Sequence, residues 1–140
     1  MLFSGKTTCP ANAPKVVCSE NQNKHVLNNP ALLSIYKYKV DGDILTDGDG
    51  EKCDYIVEVD TQVKPTAYVI ELKGSDLEKA ISQIETTINR FNLARTHRIL
   101  PRIIIHKART HQVQGSAYRN FRRKYPQTVL KEKLYEETVS

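Results

Sequence analysis

The chain has 140 residues, of which 39% are hydrophobic and 26% are charged, and its formal net charge is +5. These values are typical of one soluble domain that is large enough to bury a core. No apolar run approaches the roughly 20 residues that a membrane-spanning helix needs, so we expect no membrane partner.

The cysteines and the N-terminus indicate the compartment. Cys9, Cys18 and Cys53 are odd in number and widely spaced, which argues against a disulfide framework or a zinc knuckle. No apolar run follows Lys6 as it would in a secretory signal. We therefore expect a reducing, cytoplasmic setting. The four histidines show no metal-binding spacing, and we interpret each as a structural or surface residue.

Charge is divided unevenly along the chain. Residues 95–140 hold 11 Lys and Arg against 3 acids, whereas residues 1–94 hold 10 against 13. An acidic metal pocket flanked by a basic surface would suit an enzyme that cleaves phosphodiester bonds. An ordinary solvated surface of mixed charge would give the same counts, so the charge alone does not distinguish such an enzyme from a protein with that surface.

The first half of the chain predicts an arm and then a strand. Residues 1–29 are polar, contain two prolines and lack periodicity, so we expect an irregular arm with at most one short helical turn. Residues 35–40 alternate between apolar and polar side chains, which predicts a half-exposed strand. The aspartates of residues 41–49 do not have the spacing of a calcium loop and instead indicate turns.

Two further strands follow, at residues 53–59 and 66–73, joined by a turn at residues 60–65. Three successive strands without helices predict an antiparallel meander. In a hairpin the start of one strand lies beside the end of the next. We therefore expect Asp54 to lie near Glu71 and Lys73.

A helix is predicted directly after this strand. Gly74 ends the strand, and Ser75 with Glu78 has the spacing of a capping box. An apolar stripe at helical spacing follows, comprising Leu77, Ala80, Ile81, Ile84, Ile88 and Phe91. The apolar residues 99–106 then predict a central strand, parallel to 66–73 because a helix connects the two.

The C-terminal part is basic. Residues 115–125 predict a helix with Tyr118, Phe121 and Tyr125 at helical spacing. Either these aromatics pack on the sheet while the cations face water, or they stack on bases. Under both interpretations the cations could follow a phosphate backbone. The candidate nucleic-acid-binding residues are Lys107, Arg109, Arg119, Arg122, Arg123 and Lys124.

We therefore expect a single α/β domain over residues 1–140. Its parts are the irregular arm at 1–29, a core at 35–107 and a basic C-terminal extension at 108–140. The core is a mixed central sheet with flanking helices: an antiparallel three-strand meander, a crossover helix and a further parallel strand. Residues 128–135 form either a last strand or a short helix.

The arrangement of five residues in this core resembles the PD-(D/E)xK nuclease superfamily. Asp54 is followed after 16 residues by Glu71, Leu72 and Lys73, and the next helix carries Gln83. The resemblance covers about residues 35–107 and implies a restriction-endonuclease-like fold. It also implies that Asp54 and Glu71 bind a metal ion, that Lys73 orients or activates the attacking water, and that Gln83 supports Lys73.

The sequence departs from the family pattern in two places. Cys53 stands where the family commonly has a proline. The first helix of the family often supplies another acid, and Glu20 is the only candidate here, so that role stays open.

The residue types also fit this chemistry without the resemblance. Carboxylates suit Mg²⁺ or Mn²⁺, which neutralise charge developing on a phosphate, and the backbone carbonyl of Leu72 would complete the metal's ligands. As an exposed ion pair, Glu71 and Lys73 would instead contribute only ~0–1 kcal/mol to stability.

These observations predict an endonuclease that depends on Mg²⁺ or Mn²⁺. DNA is the expected substrate, RNA is an open alternative, and a homodimer is possible because cutting both strands needs two sites. The alternative function is a non-catalytic nucleic-acid-binding or regulatory module with the same fold.

Overall fold

The computed structural model describes residues 1–72 and 74–139, with the side chain of Asp47 also left out. That part of the chain forms eight strands and four α-helices. Their bounds are β1 Lys15–Glu20, β2 Asn23–Asn28, β3 Ile35–Lys39, β4 Tyr55–Val59, β5 Thr66–Glu71, α1 Leu77–Arg90, α2 Leu93–Thr96, β6 Arg98–Ile105, α3 Thr110–Val113, α4 Ser116–Lys124, β7 Val129–Glu132 and β8 Leu134–Thr138.

Five strands form the main sheet, in the order β3-β4-β5-β6-β7 among the described residues. β3, β4 and β5 are antiparallel neighbours, and β5, β6 and β7 are parallel. Every residue of β4 and β5 is buried, as expected for strands covered on both faces. The predicted meander, the crossover helix and the parallel strand after it are thus confirmed.

Helix α1 packs its predicted stripe against the main sheet. Its buried residues are Leu77, Ala80, Ile81, Ile84, Thr87 and Ile88. The predicted capping box of Ser75 and Glu78 is wrong, because the N-cap is Asp76, whose Oδ1 accepts a hydrogen bond of 3.1 Å from the amide of Lys79. Gly74 has a φ of 83° and lies in the turn before the helix. The helix begins one residue later than the capping box predicted.

Three strands form a small sheet, in which β2 pairs antiparallel with β1 and parallel with β8. The prediction of an irregular arm at residues 1–29 is therefore wrong for residues 15–28. The turn between β1 and β2 consists of Asn21 and Gln22, with φ values of 49° and 68°. Positive φ at both central residues gives the twist that suits a tight hairpin.

The C-terminal residues belong to both sheets. Residues 128–135 were expected to form a strand or a short helix; β7 joins the main sheet, and β8 joins the small one. Residues 108–140, predicted as an extension, thus contribute helices and strands to the body of the domain. No helix in the described part of the chain combines the length and apolar character needed to cross a bilayer.

Two hydrophobic clusters fill the space on either side of the main sheet. One lies under α1 and α4 and includes Val69, Ile84 and Phe121. The other lies under the small sheet and includes Val16 and Tyr68. The domain therefore has three layers, with helices on one face of the main sheet and a second sheet on the other.

Two buried histidines join the layers. His25 Nε2 lies 2.7 Å from Glu137 Oε2, and the guanidinium of Arg102 binds both oxygens of that carboxylate at 2.6 and 3.0 Å. His97 Nε2 lies 2.7 Å from Glu58 Oε2, and both of those side chains are buried. These contacts agree with a structural role for His25 and His97.

Candidate functional site

Two acids meet at one end of the main sheet. The β4–β5 ladder ends with the pair Tyr55 and Ile70, so Asp54 and Glu71 come one position beyond it. The amide of Asp54 donates to the carbonyl of Ile70 at 3.1 Å. Asp54 Oδ2 accepts a hydrogen bond of 2.7 Å from the amide of Leu72, the residue after Glu71. Each acid is 1% exposed.

Glu71 opens into a cavity of about 410 Å³ between the end of β5 and the start of α1. Among the described residues its walls are Glu71, Gly74, Ser75, Asp76, Lys79 and Gln83. Lys79 and Gln83 are four residues apart on α1 and therefore share one helical face. The cavity thus brings Glu71 together with Gln83, as the predicted site requires. Lys73 lies outside the described residues.

Asp54 is connected to this site through a backbone contact. It is one of the described residues, and it is not among those that form the cavity wall. Its carboxylate instead holds the peptide amide between Glu71 and Leu72. The structure therefore joins Asp54 to Glu71 through the backbone at Leu72.

The backbone of Leu72 is fixed at both its polar groups. Its amide donates to Asp54, and its carbonyl oxygen accepts a hydrogen bond from Nδ2 of Asn23, the first residue of β2. The Leu72 side chain is fully buried in the cluster under the small sheet. The predicted backbone ligand is therefore held in one orientation.

Cys53 and Thr87 connect the start of β4 to α1. The amide of Cys53 donates to Thr87 Oγ1 at 2.9 Å, and Thr87 Oγ1 donates to the carbonyl of Gln83 at 2.8 Å. A proline at position 53 would lack the N–H group that makes the first bond. The cysteine that departs from the family pattern therefore makes a contact that proline could not.

The electrostatic environment here is acidic. Burial raises the pKa of the Cys53 thiol far above its ordinary value, against an opposing hydrogen bond with Thr87. The nearby carboxylates of Glu71 and Asp54 raise that pKa further. Cys53 therefore stays a neutral thiol, which excludes it as a nucleophile at neutral pH.

The donor set fits a hard divalent cation. Across residues 1–72 and 74–139, no three His, Cys, Asp or Glu side chains form a group that could hold a metal ion. The candidate ligands are instead two carboxylates and the carbonyl of Leu72. Mg²⁺ binds through one or two carboxylates and keeps several waters, so this oxygen set is sufficient for it. Asn23 Oδ1 adds a buried oxygen with no hydrogen-bond partner in the described part of the chain.

The candidate basic residues lie on the surface of the domain. Arg119, Arg122, Arg123 and Lys124 are exposed on α4, and Lys107 and Arg109 are exposed before α3. The aromatics of α4 are buried in the cluster under the helices. The interpretation in which these aromatics are buried in the core while the cations face water thus agrees with the structure.

Two surface depressions are lined by some of these cations. One of about 330 Å³ is lined by Ser75, Asp76, Arg109 and Gln112, so it shares two residues with the cavity. The other, of about 380 Å³, includes Tyr118, Arg119 and Arg122. Arg109 therefore lies next to the cavity, whereas Arg119 and Arg122 line a separate depression on α4.

Comparison with protein-family models, curated protein sequences and solved structures gave no match.

Sequence reasoning missed several residues at this site. Asp76 and Lys79 share a helical face with Gln83, at spacings of seven and four residues, and that periodicity could have identified them. Asn23 left no comparable signal, because its contact with Leu72 spans 49 positions and depends on a strand that the sequence did not predict.

Proposed function

We propose that this chain is a metal-dependent nuclease with a restriction-endonuclease-like core, which hydrolyses phosphodiester bonds in DNA. One observation carries the proposal: the β4–β5 register places Asp54 beside the backbone that follows Glu71. The element order supports it, because an antiparallel meander is followed by a crossover helix and a parallel strand. Gln83 on that helix faces the same cavity as Glu71.

In this proposal Asp54, Glu71 and the carbonyl of Leu72 hold Mg²⁺ or Mn²⁺. The bound cation would neutralise charge that develops on the scissile phosphate. Lys73 orients the attacking water and takes a proton from it, as the resemblance implies. Gln83, on the cavity wall, supports Lys73.

The basic residues hold the substrate backbone. Arg109 borders the depression that adjoins the cavity, and Arg119 and Arg122 border a separate depression on α4. Arg123 and Lys124 extend this surface along α4, and Lys107 precedes α3. Such contacts bind phosphates without reading base sequence.

Two further proposals concern the state of the protein. A homodimer would supply the two sites that cutting both strands of a duplex requires. A cytoplasmic setting is supported by the cysteines, since Cys9, Cys18 and Cys53 all carry free thiols.

One set of contacts supports the alternative, a nucleic-acid-binding or regulatory module without turnover. Asp54 Oδ2 is bonded to the Leu72 amide, and the Leu72 carbonyl accepts a bond from Asn23. These groups therefore have structural roles that would persist in a protein with no metal.

The deciding experiment incubates the purified protein with plasmid, linear duplex and branched DNA, in Mg²⁺ or Mn²⁺ and then in a chelator. We expect cleavage that the chelator stops and that Glu71→Gln and Lys73→Ala abolish, with DNA affinity nearly unchanged. Glu78→Gln on the exposed first turn of α1 and Lys64→Ala in the exposed β4–β5 turn are the matched controls.

The outcomes separate the functions. Binding without cleavage favours the module, and cleavage by Lys73→Ala at the parent rate removes the proposed role of Lys73. A protein without salt-sensitive DNA binding has neither function.

A further inference from the structure

Asn23 reaches the acidic end of the main sheet from the small sheet. It is the first residue of β2 and is 1% exposed. Its Nδ2 donates a hydrogen bond to the carbonyl oxygen of Leu72. The N-terminal hairpin thus contacts the peptide group that lies between the proposed metal ligand Glu71 and Lys73.

The orientation of the Asn23 amide follows from its partner. A carbonyl oxygen only accepts hydrogen bonds, so the amide nitrogen must face Leu72. The amide oxygen then points away from that carbonyl. It is buried and has no hydrogen-bond partner within the described ranges of the chain. A buried polar atom of this kind requires a partner such as an ordered water or an ion.

Leu72 can accept a second partner. A carbonyl oxygen has two lone pairs, and the Asn23 amide occupies one of them. Asp54 accepts from the Leu72 amide at 2.7 Å, so Leu72 is bonded at the peptide group before it as well as at the one after it. These two bonds restrict the Leu72 backbone, and the second lone pair of its carbonyl oxygen is the one that a cation would use.

We propose that Asn23 is a positioning residue of the metal site. Its Nδ2 orients the Leu72 carbonyl toward the cation, and its Oδ1 accepts a hydrogen bond from a water that the cation retains. The inference rests on the proposed function, because it needs a cation between Asp54 and Glu71. Residues that orient metal ligands typically contribute a factor of 10 to 100 in metal affinity. The hairpin would then belong to the site as well as to the core.

The test measures Mn²⁺ binding to the full chain, without nucleic acid, by calorimetry and by the electron paramagnetic resonance signal of free Mn²⁺. We expect Asn23→Ala to weaken binding by about tenfold or more. Asn29→Ala is the matched control, since Asn29 is also fully buried and its Nδ2 donates to the carbonyls of Ala13 and Leu33. It lies past the opposite end of β2 and should leave Mn²⁺ affinity unchanged.

A second variant covers the case in which Asn23→Ala does not fold. Asn23→Leu keeps the branching and the number of heavy atoms of the side chain and removes both polar atoms, so it should weaken Mn²⁺ binding by a similar factor. If either variant folds and binds Mn²⁺ as tightly as the parent, the inference is overturned. The proposed function is unaffected by that result if Glu71→Gln abolishes Mn²⁺ binding. If the parent chain does not bind Mn²⁺, or if Glu71→Gln does not weaken the binding, both the inference about Asn23 and the proposed function are overturned.

Discussion

Thr87 Oγ1 accepts a hydrogen bond of 2.9 Å from the backbone amide of Cys53. The same hydroxyl donates to the carbonyl of Gln83 at 2.8 Å. One side chain therefore links the entrance to β4, where Asp54 lies, with the helix that carries Gln83. Both groups of the proposed site depend on this link for their relative position.

Replacing Thr87 by valine should destabilise the fold and reduce cleavage. Valine has the same shape but leaves the buried amide of Cys53 without a partner, which costs about 1–3 kcal/mol. Urea unfolding measures this loss. Thr86→Val is the control, because Thr86 is partly exposed and its hydroxyl donates to the exposed side chain of Glu51. Its effect should stay within about 0.5 kcal/mol. Equal unfolding free energies for the two variants would contradict the proposed link.

Two substitutions at Asp54 should separate its structural contact from its proposed catalytic role. Asp54→Asn keeps an oxygen that can accept from the Leu72 amide, so we expect stability near that of the parent and loss of cleavage. Asp54→Ala removes that acceptor as well and leaves the buried Leu72 amide without a partner. The free energy of unfolding should therefore fall by about a further 1–3 kcal/mol. Unfolding curves and cleavage rates of both proteins test this. Cleavage by Asp54→Asn at the parent rate would exclude the carboxylate from the metal site.

Arg119 and Arg122 should contribute to DNA binding through salt-dependent phosphate contacts. Each alanine variant should reduce the slope of log affinity against log salt by about 0.9, the value for one phosphate contact. Stability should hardly change, because both side chains are exposed. Lys15→Ala and Lys24→Ala on the exposed face of the small sheet are charge-matched controls. An equal loss of slope in the controls would mean that binding reflects net charge alone.

Stability should fall in acid partly through Glu137. Burial raises the pKa of Glu137, but hydrogen bonds from His25 and Arg102 outweigh it and hold the pKa below the ordinary 4.5. The stabilisation is therefore present above the unfolded value of 4.5 and is lost as pH falls through the lower folded value. Unfolding free energies between about pH 7 and about pH 3 should drop more steeply for the parent than for Glu137→Gln. Parallel curves would show that this carboxylate does not titrate on unfolding.

The thiols should differ in reactivity. Burial raises the pKa of Cys18 to about 12, and it raises the pKa of Cys53 still further, whereas Cys9 is partly exposed. A thiol reagent should therefore react quickly with one cysteine in the native protein and with all three in denaturant. Cys9→Ser should remove the fast reaction. A fast reaction that persists in this variant would show that one of the buried thiols becomes accessible.

The main sheet and α1 could be predicted because their apolar residues repeat at the periods of a strand and a helix. The hairpin of β1 and β2 could not, because Asn21 and Gln22 form its turn without a glycine. The sequence predicts Ser75 as the N-cap of α1, one residue before the observed Asp76. Ser75 and Asp76 are both good N-cap residues, and backbone geometry decides between them.

The proximity of Asp54 and Glu71 followed from the order of strands, since antiparallel pairing fixes which residues face each other. The polar residues that contact this site could not be predicted from the order of strands. Asn23 and Thr87 act through backbone groups 49 and 34 positions away. Such contacts leave no periodic pattern in one sequence and require the packed layers to define them.

The parallel pairing of β2 with β8 also constrains the order of assembly. His25 and Glu137 meet across 112 positions, so the small sheet is incomplete until the last strand of the domain arrives. Closing so long a loop costs entropy before any contact compensates for it. Pairings of this kind slow folding, and refolding of this protein should therefore be limited by the docking of β8 rather than by formation of α1.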